Sequence, residues 1–361
     1  MCLFKIWCVF AKLKKAIISG VVGQDGSYLA ELLLSKGYAV LGLMRRASYP
    51  HTSRIDHLES RYDQNDAEAP FKTVYADLTD PSSLRQAIDD FEPDEVYNLG
   101  AQSHVAVSFM TGESTLDINT LGCFRLLDLL RRHCDTSVRF YQASSSEMFG
   151  ASPPPQNEHT PFLPQSPYGV SKVAAYYLTR MHRVAYGMFA ANGILFNHES
   201  PRRGFNFVTR KITLGIAKLL VGEAESLQLG NLDASRDWGY AGDYVDAIYR
   251  IMQHHQADDF VISTGDAHTV RDFLAETFGM LGLEWQDFVV ANARYHRPAE
   301  VPALLGDSSK ARRLLGWEPK VSFRQLCAMM LENDLRDRGL TLDRARRRAA
   351  ELKPAVTTPV R

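Results

Sequence analysis

The sequence is short of the features that mark the more specialised classes of protein. Its five cysteines, Cys2, Cys8, Cys123, Cys134 and Cys327, form no C-x-x-C pair and no cluster with histidine at zinc-ligand spacing. That argues against a disulfide or metal framework, and no metal is expected. An excess of one charge is also missing. Lys and Arg number 41 against 42 Asp and Glu, a formal net charge of -1, so neither nucleic acid nor an anionic membrane is expected as a partner and any anion binding has to be local. No apolar run reaches the roughly 18 residues that a membrane span requires. The nearest is Met1–Leu13, with Lys12, Lys14 and Lys15 at or just past its end rather than before it, the reverse of a secretory signal. Residues 1–14 read as an extension ahead of the first strand, and the chain as a cytoplasmic protein. There is no internal repeat.

What is present is enough apolar content, 45% of 361 residues, to bury a sizeable core. The first half alternates short apolar runs with amphipathic stretches, the rhythm of parallel strands joined by crossover helices. Strands are expected at Ala16–Ser19, Tyr38–Met44, Lys72–Tyr75, Glu95–Leu99, Arg139–Ala143 and Phe189–Phe196, and a helix at Tyr28–Lys36 closed by Gly37. The fold class is α/β, a Rossmann-type doubly wound parallel sheet. After Asn197 the rhythm breaks, although Asp243–Gln253 and Asp259–Ser263 look like a helix and a strand returning to the sheet. The expected division is a dinucleotide-binding domain of residues 15–196 plus about 232–265, with a smaller interleaved domain of residues 197–231 and 266–335. Residues 336–361, with the basic cluster Arg344–Arg348, read as a solvated, frayed tail.

Gly20-Val21-Val22-Gly23-Gln24-Asp25-Gly26 stands between the first expected strand and a helix. In that context glycines allow a tight turn and close approach of the backbone to a pyrophosphate resting on the helix N-terminus. About twenty residues on, where an enzyme using NAD places an acid for the ribose 2'-hydroxyl, the sequence has Arg45 and Arg46. Guanidinium groups suit a 2'-phosphate, so NADP is the expected cofactor. Asp77-Leu78 fits a contact to the adenine, with a helix cap as the alternative for Asp77.

Tyr168 and Lys172 are four residues apart and share one face of a helix. A neighbouring ammonium favours the phenolate and moves the tyrosine toward use as a base. Ser144-Ser145-Ser146-Glu147 ends a strand upstream. A serine, a tyrosine and a lysine suffice to move a hydride. The further carboxylate of Glu147 can take a proton from carbon and return it to a departing hydroxyl, or else caps the next turn.

With these residues in place the sequence resembles the GDP-mannose 4,6-dehydratases, extended short-chain dehydrogenases/reductases, from about Lys15 to Asp334. G-Q-D-G-S-Y-L-A-E from Gly23, R-R-A-S from Arg45 and Y-N-L-G-A-Q-S-H-V from Tyr97 are similar to that family's cofactor half. G-I-L-F-N-H-E-S-P-R-R-G from Gly193, F-V-T-R-K-I from Phe207 and R-D-W-G from Arg236 are similar to its substrate half. The resemblance implies Tyr168 as the base at the sugar O4, Lys172 as its electrostatic partner, Glu147 as the acid/base at C5 and the 6-hydroxyl, and Ser145 as a hydrogen-bond partner of O4. It implies cofactor contacts at Gly20, Gly23, Gln24, Asp25, Gly26, Arg45, Arg46, Asp77, Leu78, Leu99, Ala101, Ser103, Tyr168, Lys172, Asn197, His198 and Arg203. Ser103, Asn197, Arg202, Lys211, Arg236, Arg297 and Glu300 are implied along the GDP-sugar. It also implies a homodimer or homotetramer, the R-R-A-S loop lying at a subunit contact.

Three departures stand out. Val22 and Ser145 replace threonines usual in that family, and Ser235 replaces a common lysine. They leave open a modified GDP-sugar such as a GDP-heptose. A UDP-glucuronate decarboxylase also carries the glutamate but lacks N-H-E-S-P-R-R-G, and a 4-epimerase has a neutral residue at the Glu147 position. An inactive, NADP-sensing binding protein is the alternative of another class.

Overall fold

The computed structural model describes residues 13–49, 51–135, 137–292 and 298–354. Its main sheet has seven parallel strands in the order β10-β6-β5-β4-β1-β2-β3: β1 (Lys15–Ser19), β2 (Ala39–Met44), β3 (Phe71–Tyr75), β4 (Glu95–Asn98), β5 (Arg139–Ser145), β6 (Phe189–Leu195) and β10 (Asp259–Ile262). Helices cover both faces, so the strand residues are apolar on both sides. Ala16 and Ile18 of β1 enter one core cluster while Ile17 enters another, and Val40 and Leu41 of β2 divide in the same way, as the two-residue repeat of a strand requires. The crossover helices are α1 (Gln24–Ser35), α2 (Asp56–Arg61), α3 (Pro81–Phe91), α4 (Val105–Ser108), α5 (Gly112–Leu116), α6 (Gly122–His133) and α7 (Pro167–Tyr186). α1 starts at Gln24, ahead of the expected Tyr28, because Gly23 is its extended N-cap and the turn itself supplies the first helical residues.

The second lobe is built on a small sheet in which β9 (Ser235–Tyr240) pairs with β7 (Asn197–Glu199), β11 (Ala267–Thr269) and β13 (Ala303–Leu304), beside the pair β8 (Leu227–Leu229) and β12 (Val289–Ala291). Its core gathers α8 (Val208–Leu220), α10 (Val270–Gly279) and α12 (Phe323–Arg336) around Trp238 and Phe273. α9 (Ala241–Gln253) lies instead against α1, and α11 (Ser309–Leu315) against β10 and α9. Val301, Leu304, Ala311 and Trp317 accordingly join the core of the first lobe. This corrects the boundary read from the sequence, since part of 266–335 returns to the main sheet.

The basic tail is also corrected. Residues Leu342–Ala349 form α13, capped by Thr341 and packed through Ala345 and Ala349 on the second core. Arg346 Nε donates to Met280 O (3.0 Å) and Arg348 Nη1 to Leu220 O (3.2 Å), so the arginines close the carboxyl ends of α10 and α8, where a cation is favoured.

Candidate active site

The glycine turn is shaped by two close approaches. Gly20 has φ +72°, and a Cβ there would stand 2.9 Å from the Gly100 backbone; on Gly26 it would stand 2.3 Å from Gly20 O. A side chain at either position would fill the cradle through which a pyrophosphate reaches the α1 N-terminus. Ser19, a residue not singled out in the sequence, fixes the turn against the end of β4. Its hydroxyl donates to Asn98 Oδ1 (2.7 Å) and accepts from the N–H groups of Leu99 and Gly100. Asn98 in turn donates to Gln142 Oε1 (2.8 Å).

Arg45 and Arg46 are exposed immediately beyond β2. Asp77 accepts from Thr79 N and Oγ1, both at 2.8 Å, while Asp80 caps α3 by accepting from Ser82 N. The capping role open for Asp77 therefore belongs to Asp80. Leu99, Ala101 and Ser103 follow β4 at the same edge of the sheet, with Ser103 exposed, and Leu78 is buried beneath them.

Ser166 and Pro167 start α7 as N-cap and first-turn proline, Ser166 Oγ accepting from Gly169 N, a strong local start signal. This sets Tyr168 and Lys172 on the buried face toward β5. Ser145 ends β5 and hydrogen-bonds Tyr168. Glu147 follows in a short 3₁₀ turn whose N–H donates to Ser145 Oγ (3.3 Å). A Cβ placed on Gly169 would lie 2.8 Å from Glu147 O, so the two catalytic segments touch. Glu147 is 8% exposed. It sits at the turn, where the hydroxyl of Ser145 makes the N-cap bond.

The electrostatics differ from the sequence expectation. Burial pushes Tyr168 up to about 12, with the Glu147 charge acting in the same sense and the Ser145 hydrogen bond and Arg203 opposing it. Lys172 is itself pushed down to about 8 by burial. Its Nζ donates to Ala143 O (2.8 Å) and lies 5.9 Å from the Tyr168 ring centroid. Arg203 adds a second cation that acts to lower the phenol. Asn119, within a π-helical turn at Asp117–Leu121, donates to Ser171 Oγ (2.9 Å) beside Lys172. No sequence signal marks it, because a π-turn has no periodic signature.

The N-H-E-S-P-R-R-G segment is divided between the lobes. Burial works to raise Asp25, but His198 (2.8 Å), Gln24 and Arg203 outweigh it and hold the carboxyl low. Burial works to lower His198, and Asp25 outweighs that and raises it. Gln24 donates to His198 O and accepts from Ser200 Oγ, so Gln24 and Asp25 hold this segment against the glycine turn. Asn197 Oδ1 is buried without a hydrogen-bond partner among the described residues, a polar atom open to a ligand. Arg203 pairs with Glu199 (3.0 Å) and stacks on Phe207.

Arg202, expected along the substrate, is turned onto α1. Its guanidinium donates to Ser27 Oγ and Glu31 Oε1 and covers the Tyr28 ring at 4.1 Å. A carboxylate and an aromatic face on one helix outcompete the cleft for it. Arg54, unmarked in the sequence, donates to Arg202 O (2.6 Å) and Val22 O (3.3 Å) and binds this loop to the glycine turn. Arg236 and Glu300 are brought together at 3.4 Å. Lys211 lies on the first turn of α8, and Arg297 lies outside the described residues.

Comparisons with known proteins agree with this architecture. A family model described as GDP-mannose 4,6 dehydratase matches residues 17–330. The chain is 56% identical over 325 residues to GDP-mannose 4,6 dehydratase 2 of Arabidopsis thaliana, covering 89% of this chain and 87% of that one. It is 47% identical over 340 residues to GDP-mannose 4,6 dehydratase of Homo sapiens, covering 89% and 91%. Among solved structures, UDP-glucose 4-epimerase of Thermus thermophilus in complex with NAD superposes with a TM-score of 0.76 at 23% identity, covering 89% of this chain and 98% of that one. RMD of Pseudomonas aeruginosa complexed with NADPH superposes at 0.72 and 24%, covering 90% and 98%. These two share the fold. By its sequence, and with its glycine turn and Ser145-Glu147-Tyr168-Lys172 cluster assembled at one edge of the sheet, the chain belongs to the GDP-mannose 4,6-dehydratase family of extended short-chain dehydrogenases/reductases.

Proposed function

We propose that the chain dehydrates GDP-mannose to GDP-4-keto-6-deoxymannose, using NADP. The observation that carries the reading is the placement of Glu147 against the Tyr168 segment: one site holds a phenol for O4 and a carboxylate for C5. The residues fit the cofactor, since the Gly20–Gly26 cradle admits a pyrophosphate and Arg45 and Arg46 stand ready for a 2'-phosphate. When bound, the nicotinamide supplies the acceptor for hydrogen leaving C4 and its donor to C6. Tyr168 takes the proton from O4, with Ser145 holding that oxygen and Lys172 holding the helix face in register through Ala143 O. The C4 ketone acidifies the C5 proton. Glu147 removes it and passes it to the 6-hydroxyl, which leaves as water; as C6 is reduced C5 takes up a proton, balanced by the one Tyr168 took from O4. Asn197, Arg236, Glu300, Lys211 and Ser103 are assigned to the GDP-sugar by the family resemblance, as is Arg297 by its place in the sequence.

A homo-oligomer is part of the same proposal. On α7, Tyr177, Met181 and Val184 recur at helical spacing and are exposed, Val184 by 81%, beside exposed Leu121 and Phe124. An apolar stripe of this kind suits a second copy of the helix pair. Among the described residues no helix is long and apolar enough to cross a membrane, and a cytoplasmic setting is proposed.

The test is incubation with a panel of GDP-, UDP- and dTDP-sugars, GDP-heptose included, with mass detection of a product lighter by one water. Glu147→Gln is expected to lower turnover by about a hundred- to ten-thousand-fold while reduced-nicotinamide absorbance still builds up on mixing with GDP-mannose. Tyr168→Phe removes that absorbance. Full dehydration by the glutamine variant would end the role given to Glu147.

A further inference from the structure

The chain between Glu147 and Tyr168 leaves the site and returns to it as a strap. Ala151 N donates to Leu163 O (3.0 Å), Leu163 N to Phe149 O (3.3 Å), and Ser152 Oγ to Pro161 O (2.5 Å). Its two feet are thus the two catalytic segments. The middle of the strap is held by the loop after β13. Gln156, fully buried, donates from its N–H to Leu305 O (2.8 Å), accepts from Leu305 N at Oε1 (3.1 Å), accepts from Asp307 N at its carbonyl (2.9 Å), and donates from Nε2 back to Ser152 O (2.9 Å).

The same loop is tied to the second lobe. Gly306 N donates to Asp237 Oδ2 (3.3 Å), and this buried carboxylate also accepts from Thr264 N, Thr264 Oγ1 and Gly265 N at 2.6–2.9 Å. Asp237 follows Arg236 on β9, the strand shared by β7, β11 and β13. Hydrogen bonds and the Leu305–Gly306 peptide link therefore connect the strand bearing Arg236, through Asp237 and Gln156, to the strap.

We propose that Asp237 and Gln156 are positioning residues that make the placement of Glu147 and Tyr168 depend on engagement of the substrate's nucleotide by the second lobe. The proposal rests on the dehydratase reading. A nucleotide takes no part in the bond changes, and its binding energy speeds the reaction only where it improves transition-state geometry. Asp237 fixes two loops to β9, and Gln156 fixes one of them to the strap, so a small movement of β9 toward a bound nucleotide carries the strap with it. Misplacement of reacting groups by a fraction of an ångström to about 1 Å is enough to matter for rate.

The experiment compares Gln156→Leu, Asp237→Asn and the double variant with the unmodified protein on GDP-mannose, with GDP affinity and thermal midpoint measured on the same preparations. Each single variant is expected to lose about tenfold in kcat, the scale of a small misplacement, with GDP affinity changed by less than about twofold, a loss confined to the transition state. The double variant should lose no more than the worse single one, because both residues act on one path. Gln156→Glu keeps the acceptor for Leu305 N but loses the donor to Ser152 O, so its kcat should fall at least as far as that of Gln156→Leu. Additive losses in the double variant, a loss wholly in GDP affinity, a loss that only tracks unfolding, or an unchanged kcat in Gln156→Glu would overturn the proposal. If the unmodified protein leaves GDP-mannose unchanged, the dehydratase reading fails instead, and the same comparison is made on the sugar nucleotide of the panel that it does convert.

Discussion

The two lobes place their functional side chains in different ways. In the main-sheet lobe the placement is local: Gly20 and Gly26 shape the turn, and Ser166 and Pro167 start the helix that carries Tyr168 and Lys172. In the second lobe it is remote. Arg202 is turned by Glu31 and Arg236 by Glu300, partners 171 and 64 residues away in the chain. Short-range rules thus suffice for one half of the site, while the other half is decided by which carboxylate the folded chain brings near each arginine.

This contrast can be broken most sharply at the buried pair Arg210–Asp334 (2.7 Å), where Thr213 also donates to the carboxylate at 2.6 Å. Asp334→Ala leaves the buried guanidinium only the longer pair to exposed Asp337 (3.8 Å) and should destabilise the protein by up to about 3–5 kcal/mol, read by denaturant unfolding, with cofactor affinity unchanged in the folded fraction. A comparable loss of cofactor affinity would show that the lobes are not separable in this way.

Lys172 sharpens the other side. Its folded value of about 8 lies below the ordinary 10.5, so below pH 8 both folded and unfolded chains hold the proton and the full burial penalty, about 3 kcal/mol, is present. Between about 8 and 10.5 the unfolded chain binds more protons than the folded one, so stability gains from this group as pH rises. Lys172→Met should therefore be the more stable protein at pH 7.5, with an advantage that fades by pH 10.5. A pH-independent offset between the two unfolding curves would contradict this.

Gly26→Ala presses a methyl toward Gly20 O. Strain of about 1–3 kcal/mol should weaken cofactor binding in titrations, with little change in GDP affinity, the mirror image of Asp334→Ala. The smallest effect is expected at α13. Arg348→Ala removes a cation from the end of α8 and should lower stability by about 0.3–1 kcal/mol, measured by thermal unfolding. A larger loss would mean that α13 secures the lobe through more than helix capping.

The legibility of the sequence follows the same line. The main sheet, the glycine turn and the helical face of Tyr168 and Lys172 are readable because each rests on a repeat or a turn a few residues long. Arg202 is not, since no pattern within N-H-E-S-P-R-R-G tells which of two adjacent arginines meets Glu31 and which remains beside Tyr168. The return of Val301–Trp317 to the first core is equally hidden, because a short strand and a seven-residue helix carry too little periodicity to declare which sheet they serve. Tyr168 shows the limit for chemistry: spacing gives the neighbouring cation, but burial, invisible in the sequence, sets the larger influence on the phenol.

The interleaving of the lobes has a mechanical consequence. The polypeptide passes from one lobe to the other after β6, again between β9 and α9, between β10 and β11, after β13, and after Trp317. Several tethers side by side constrain a joint as one cannot, since any opening between the lobes must flex all of them together. A protease that severs any one tether leaves the halves connected through the others, so a nicked chain should migrate intact until it is denatured.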